Sequence, residues 1–178
     1  MCLGSAQSHC VSIVADSSTA TGLAWSAPAG GGKVLQVVQA TYGTATTIAS
    51  TTLTDTGLSA SITPSLATSK VLVMYSGNAR VQASQSDSAG LKSAIIRTST
   101  KILGWDGDYT ARSVVSIAGI TLNVLGATVA MNYLDSPATT SATTYKIQMA
   151  VHDTTNSGQV IAQFGNNSGT LILMEIGA

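Results

Sequence analysis

The residues best suited to recognising a ligand lie together in a short segment, Trp-Asp-Gly-Asp-Tyr, at positions 105–109. Aromatic rings pack on the faces of sugar rings, and carboxylates accept hydrogen bonds from sugar hydroxyls. The candidate receptor-binding residues are therefore Trp105, Asp106, Asp108 and Tyr109. The alternative interpretation of this segment is a hairpin turn, in which Trp105 belongs to the core and Tyr109 begins the next strand.

The sequence offers little that could perform catalysis or hold a metal. It contains no Gly-x-Ser-x-Gly motif, phosphate-binding glycine loop or paired-histidine motif. His152 and Asp153 are adjacent, so on a strand they would face opposite sides and could not form a hydrogen-bonded dyad. Cys2 and Cys10 are separated by seven residues with no second pair, which is poor spacing for zinc, and whether the two thiols pair stays open. We predict no catalytic residues, no cofactor and no metal site.

The numbers of basic and acidic side chains limit the classes of molecule that the chain is expected to bind. The chain has 178 residues with eight basic and eight acidic side chains, is 44% hydrophobic and has no net charge. Disorder through charge repulsion is excluded, because disordered chains combine high net charge with low hydrophobicity. Nucleic-acid binding is not expected, because there is no excess of cations to neutralise phosphates. A surface with so few charges favours assembly with other copies of the chain.

Strands are the elements that must position these residues. Segments rich in Val, Ile and Thr alternate between apolar and polar positions, and no segment has a sustained helical period. Turn residues separate eight or more such segments at intervals of about 8–12 residues, which predicts an all-β fold, an antiparallel β-sandwich of the jelly-roll type. The clearest strands are predicted at Val34–Tyr42, Lys70–Ser76, Tyr145–His152 and Thr170–Ile176. We assign residues 33–178 to this domain and residues 1–32 to an N-terminal extension that anchors it.

Two connections and one uncharged stretch complete the predicted organisation. Thr54–Gly57 has the Asp and Gly composition of a tight turn, and Gln82–Gly90 is polar and is predicted to be a loop. The stretch Ser113–Leu134 is long enough to cross a membrane as a helix. Polar residues interrupt it throughout, and its alternation is that of strands. We therefore predict no membrane span.

The last strand predicts where copies of the chain would meet. Alternation places Leu171, Leu173 and Glu175 on one face of this strand and Ile172, Met174 and Ile176 on the other. Both faces are apolar, and a single sandwich can cover only one of them. We expect the second face, together with Ile120, Leu122 and Val124, to pack against other copies in a closed homotrimer. The alternative is that a loop of the same chain covers this face.

Glu175 is the one ionisable residue of that strand. If it is enclosed, its carboxylate needs a charged or hydrogen-bonding partner, for which another subunit is one source.

Several segments carry a family resemblance: Leu58–Ser65, Ser69–Val73, Arg97–Leu103, Tyr133–Lys146 and Leu171–Ala178. Together they resemble the distal head domain of tail-fibre proteins from marine and cyanobacterial phages. The resemblance extends from roughly residue 22 to the C-terminus. It implies a trimeric jelly-roll head of the kind seen in C1q-like and TNF-like domains, displayed on the virion surface.

The expected function is therefore structural. We expect a non-enzymatic phage protein, a trimeric tail-fibre or spike head that contributes to host attachment. Its expected partners are further copies of the chain, tail or capsid proteins bound through residues 1–32, and a host cell-surface glycan. No repetitive shaft precedes the head-like region, so a capsid decoration protein that stabilises the shell is one alternative. The other is a carbohydrate-cleaving appendage, for which Asp106 and Asp108 would supply the carboxyl groups.

Overall fold

A computed structural model describes residues 12–15, 23–26, 32–84, 88–104, 110–114, 123–154 and 157–177. The chain divides into two compact units, with the boundary between Lys33 and Val34. In the first unit, β1 (Ser12–Ala15) pairs antiparallel with β2 (Leu23–Ser26). No observation bears on whether this unit anchors the chain to other proteins, so that role stays a prediction.

The second unit is built from strands. Those that the structure describes are β3 (Val34–Tyr42), β4 (Thr46–Ile48), β5 (Thr54–Ile62), β6 (Lys70–Ala83), β7 (Ser88–Arg97), β8 (Thr100–Gly104), β9 (Ala111–Val114), β10 (Asn123–Asp135), β11 (Thr143–Val151), β12 (Gln159–Ala162) and β13 (Gly169–Ile176).

These strands form two antiparallel sheets. The first has the order β10–β6–β13–β3, and β12 and β4 continue it along the second half of β6. The second has the order β5–β11–β7, with β8 and β9 both on the far side of β7. Most of the longer connections pass from one sheet to the other, which makes an antiparallel sandwich of the jelly-roll type. The predicted fold class is confirmed.

The core lies between the sheets and follows from the alternation of each strand. In β13, Leu171 and Leu173 are fully buried, and in β11 so are Tyr145, Ile147 and Met149. Burying an aliphatic side chain of this size contributes about 1.5–3 kcal/mol. The inward side chains of the long strands therefore pack against the opposite sheet of the same chain. The two sheets differ in the side chains on their outward faces.

Two predicted connections were wrong in part. Thr54–Gly57 is the first part of β5, because it pairs with β11 across a bulge between Lys146 and Gln148. The predicted loop at Gln82–Gly90 is shorter than expected, because β6 continues to Ala83 and β7 begins at Ser88. Pairing with β10 along almost its whole length holds β6 extended beyond the predicted end at Ser76.

Candidate functional sites

The outward side of the first sheet carries a continuous apolar surface. Eight side chains from β3, β13, β6 and β10 form this apolar face: Val34, Val37, Leu72, Met74, Leu134, Ile172, Met174 and Ile176. Val34 and Val37 are each 55% exposed, Leu134 is 47% exposed and Met74 is 39% exposed. Monomeric soluble proteins rarely leave a continuous apolar surface open, so this face is a candidate interaction site.

Met74 lies on β6 at the border of the apolar face, where the next outward positions along the sheet are Ser76 and Thr170. It is opposite Ile172 on one neighbouring strand and Asn132 on the other. A shallow groove of about 200 Å³ runs beside it, and the groove lining contains no charged side chain. The outward positions of β6 carry no charge between Lys70 at one end and Arg80 at the other. The Arg80 guanidinium lies 4.2 Å from the centre of the Phe164 ring.

The structure brings together some of the residues predicted to form an oligomer interface. Ile172, Met174 and Ile176 all lie on the apolar face and are partly exposed. Val124 is 43% exposed on the outward side of β10, near the far end of the same sheet. Ile120 and Leu122 lie outside the described residues. The role of these residues in an interface stays a prediction.

Glu175 lies behind the apolar face and is fully buried. Gln36 Nε2 donates to one carboxylate oxygen at 2.6 Å, and the Ser65 amide and hydroxyl donate to the other at 2.7 and 2.6 Å. Burial alone would raise the pKa of Glu175, but the hydrogen bonds from Ser65 and Gln36 outweigh it and lower the pKa from 4.5 to about 2. The expectation of a partner from another subunit was therefore unnecessary, because the donors belong to the same chain. This buried anion connects β13, β3 and the segment before β6.

A second buried carboxylate connects the two sheets. Arg97 Nη1 lies 2.9 Å from each oxygen of Asp135, and the Tyr145 hydroxyl donates to Asp135 at 2.7 Å. Burial raises the pKa of Tyr145, and the hydrogen bond to Asp135 raises it further because it requires the neutral phenol. This cluster joins β10 to β7 and β11 across the sandwich. Both carboxylate oxygens of Asp135 accept hydrogen bonds from within the chain, which suits a structural role.

The outward side of the second sheet is polar where β5 and β11 meet. Asp55 accepts hydrogen bonds from Lys146 Nζ at 2.9 Å and from Gln148 Nε2 at 2.6 Å. Burial opposes the charge on Asp55, but the two hydrogen bonds and the positive charge of Lys146 lower its pKa below the ordinary value. A groove of about 160 Å³ lies beside this cluster, and we call it the polar groove; its lining is Asp55, Gly57, Leu58, Ser59, Thr144 and Lys146.

Sequence reasoning missed the polar groove, because Asp55 and Gly57 were assigned to a turn. The available signal was the alternation of Asp55, Gly57, Ser59 and Ser61, which places all four on one side of a strand. The predicted receptor site at Trp105, Asp106, Asp108 and Tyr109 lies outside the described residues, as do Cys2 and Cys10.

Two further kinds of site concern the described residues, namely metal centres and membrane spans. Among those residues, no group of three or more His, Cys, Asp or Glu side chains is arranged to hold a metal ion. In the same part of the chain, no helix is both long and apolar enough to span a membrane.

Comparison with known proteins adds no assignment: no protein-family model matches the chain, and no curated protein matches it. The two outward faces and the sequence resemblance are therefore the observations that bear on function.

Proposed function

We propose that this chain is a non-enzymatic phage structural protein, the trimeric head of a virion surface appendage that contributes to host attachment. The observation that carries the proposal is the contrast between the outward faces of the two sheets. One is apolar around Met74, and the other carries the polar groove around Asp55. Such a sandwich has one side suited to assembly and one side suited to display.

The apolar face supports association with identical copies. Surfaces at the centre of stable assemblies are depleted in charge, and the residues around Met74 include no ionised group. A partner chosen by charge would need a complementary charge on this face, whereas a copy of the same face matches it without one. Closed symmetric assemblies bury such a face on every subunit, and the resemblance to phage head domains favours three subunits.

The fold supports a structural role more than a catalytic one. Among the residues that the structure describes, the buried carboxylates are Asp135 and Glu175, and they accept hydrogen bonds from Arg97, Tyr145, Ser65 and Gln36. A carboxyl pair working on a glycosidic bond needs one group available as a proton donor and the other as a base or nucleophile. We propose that residues 1–32 bind the tail or capsid, which leaves the sandwich to face the host.

The proposal is tested by measuring where the protein acts. Purified protein should bind host cells and should reduce infection when added before the phage, and labelled antibody should mark the tail in electron micrographs. Antibody labelling over the capsid, without cell binding and with particles that burst more easily when the protein is missing, would establish capsid decoration instead. Release of sugar from host polysaccharide, lost in Asp106→Asn or Asp108→Asn, would establish the cleaving appendage.

A further inference from the structure

The polar groove owes its shape to the backbone. Gly57 has φ 90°, a conformation that other residues adopt only with strain. A Cβ atom on residue 57 would lie 2.5 Å from a ring carbon of Tyr42, so this position must remain without a side chain. In the same strand, residues 56–58 lie opposite the single residue Ile147 of β11, so the bulge is in β5 and regular pairing is disrupted at the same level. An opening therefore lies between Asp55 and Ser59 that a regular strand pair would fill with a side chain.

The walls of the groove hold their polar groups in fixed positions. Lys146 and Gln148 each donate to a different oxygen of Asp55, so three side chains from two strands restrain one another. Further along the same strand pair, the Ser61 and Thr144 hydroxyls lie 2.7 Å apart. Polar groups that are oriented before a ligand arrives lose less entropy when they bind it.

The chemistry of these walls indicates the class of ligand. The positive charge of Lys146 balances the negative charge of Asp55, so the groove favours neither an anion nor a cation. Carboxylate oxygens accept hydrogen bonds, while the ammonium, amide and hydroxyl groups donate them. A ligand with many hydroxyls, each both donor and acceptor, satisfies both kinds of group. An apolar ligand would leave them without partners.

We propose that the polar groove binds a neutral sugar unit of a host surface glycan. Asp55 accepts hydrogen bonds from sugar hydroxyls, and Lys146 and Ser59 donate to them. The groove lies on the sheet opposite the apolar face, so the sugar site and the proposed assembly surface do not compete. This inference rests on the proposed role in attachment and assigns that role to residues outside the predicted segment at positions 105–109.

The experiment uses the full chain and a panel of neutral methyl glycosides and oligosaccharides terminating in glucose, galactose, mannose or N-acetylglucosamine. Binding is measured by titration calorimetry and by ligand-observed NMR. Asp55→Ala removes the acceptor, and Ser59→Ile fills the opening with a residue that suits a strand. Thr100→Ala, an exposed change elsewhere on the same sheet, is the control, and circular dichroism confirms that each variant is folded.

At least one panel member should bind the unaltered protein and the Thr100→Ala control alike. Asp55→Ala should weaken that binding about tenfold, which corresponds to the loss of one charged hydrogen bond. Ser59→Ile should weaken it at least as much, because its side chain occupies the opening. The inference is overturned if no neutral sugar binds, or if a sugar binds equally to both groove variants. Inorganic phosphate and a sialylated sugar are titrated beside the panel, and binding of either one in place of the neutral sugars would also overturn the inference.

The same variants separate this inference from the proposed function. If the unaltered protein binds host cells and both groove variants bind them equally, attachment stands and the groove is not its site. If the unaltered protein binds a sugar through the groove but binds no host cell, the sugar site stands and attachment fails.

Discussion

A single charge on the apolar face should prevent assembly. Met74 is the residue to change, because it lies on the central strand β6 and its neighbours across the sheet are Ile172 and Asn132. Its side chain points outward and is 39% exposed, so Met74→Glu places the new carboxylate in solvent in the isolated chain. The folded monomer should therefore tolerate the substitution, while any copy packed against this face must bury the charge.

The magnitude follows from the exposed apolar side chains. Complete burial of a Val, Leu or Met side chain is worth about 1.5–3 kcal/mol, so Val34, Val37, Met74 and Leu134, each roughly half exposed, contribute about 3–6 kcal/mol per copy. Burying an unpaired carboxylate costs several kcal/mol, which offsets most of what one copy contributes through these side chains. We expect Met74→Glu to weaken assembly by at least about 100-fold.

Sedimentation velocity over a range of protein concentrations measures this effect. The unaltered protein should sediment as three copies of the 18.0 kDa chain, and Met74→Glu should sediment as a folded monomer. Thr100→Glu adds the same charge to an exposed position of the second sheet and should assemble normally. Met74→Leu keeps the apolar volume and should also assemble. An unaltered protein that stays monomeric, or a Met74→Glu variant that assembles as well as Thr100→Glu does, would refute the reasoning.

Three further predictions concern the stability of the sandwich. Gly77→Ala should lower the free energy of unfolding by about 1–3 kcal/mol, because the new Cβ would collide with the Tyr75 hydroxyl. Gly126→Ala is the control in the same thermal unfolding experiment: a Cβ at position 126 meets open space, so the free energy of unfolding should change little. Asp135→Asn should lower the free energy of unfolding by about 2–4 kcal/mol, because it disturbs the contacts of Asp135 with both Arg97 and Tyr145. Tyr145→Phe removes one hydrogen bond and should lower the free energy of unfolding by about 1–2 kcal/mol. Equal losses for the two variants in urea unfolding would contradict this order. The pKa of Glu175 lies near 2 in the folded chain and at 4.5 when unperturbed, so its contribution to stability is complete above about pH 4.5 and is lost as the pH falls towards 2. Urea unfolding between these pH values should therefore show a steeper loss for the unaltered protein than for Glu175→Gln, and parallel curves would disprove the assignment.

The fold was predictable because alternation is a local property. In β3 and β13, side chains alternate between the two sides, so sequence alone identifies the strands and their inward residues. The same reasoning separated Leu171 and Leu173 from Ile172 and Met174 before any pairing was known. Sequence could not reveal which strands are neighbours, because that depends on contacts between distant residues. The position of Met74 between β13 and β10 is information of that kind.

The polar groove was not predictable for a related reason. Asp55 and Gly57 have the composition of a turn, and local sequence cannot distinguish a turn from a strand that needs glycine for a close approach. Here the close approach is made by the Tyr42 ring, and β5 itself accommodates it with a bulge in which residues 56–58 lie opposite Ile147 of β11. Taken singly, none of these residues indicates a binding site in the sequence. They form a groove only because β5 pairs with β11.

The positions of the few charged residues decide how the low charge of the chain affects its association. A composition with 9% charged residues is compatible with a uniformly weak polar surface or with one surface that lacks charge altogether. The charges of the described residues are placed unevenly, which is closer to the second arrangement. Asp55, Lys92, Lys101 and Lys146 lie on the second sheet, and Asp135 and Glu175 are buried. On the outward side of the first sheet, Lys70 and Arg80 stand at the two ends of an uncharged stretch of β6. A uniformly weak surface would promote contacts in every direction, whereas an uncharged region on one sheet directs association to that side. The placement of the few charges therefore supports the assembly surface that we propose.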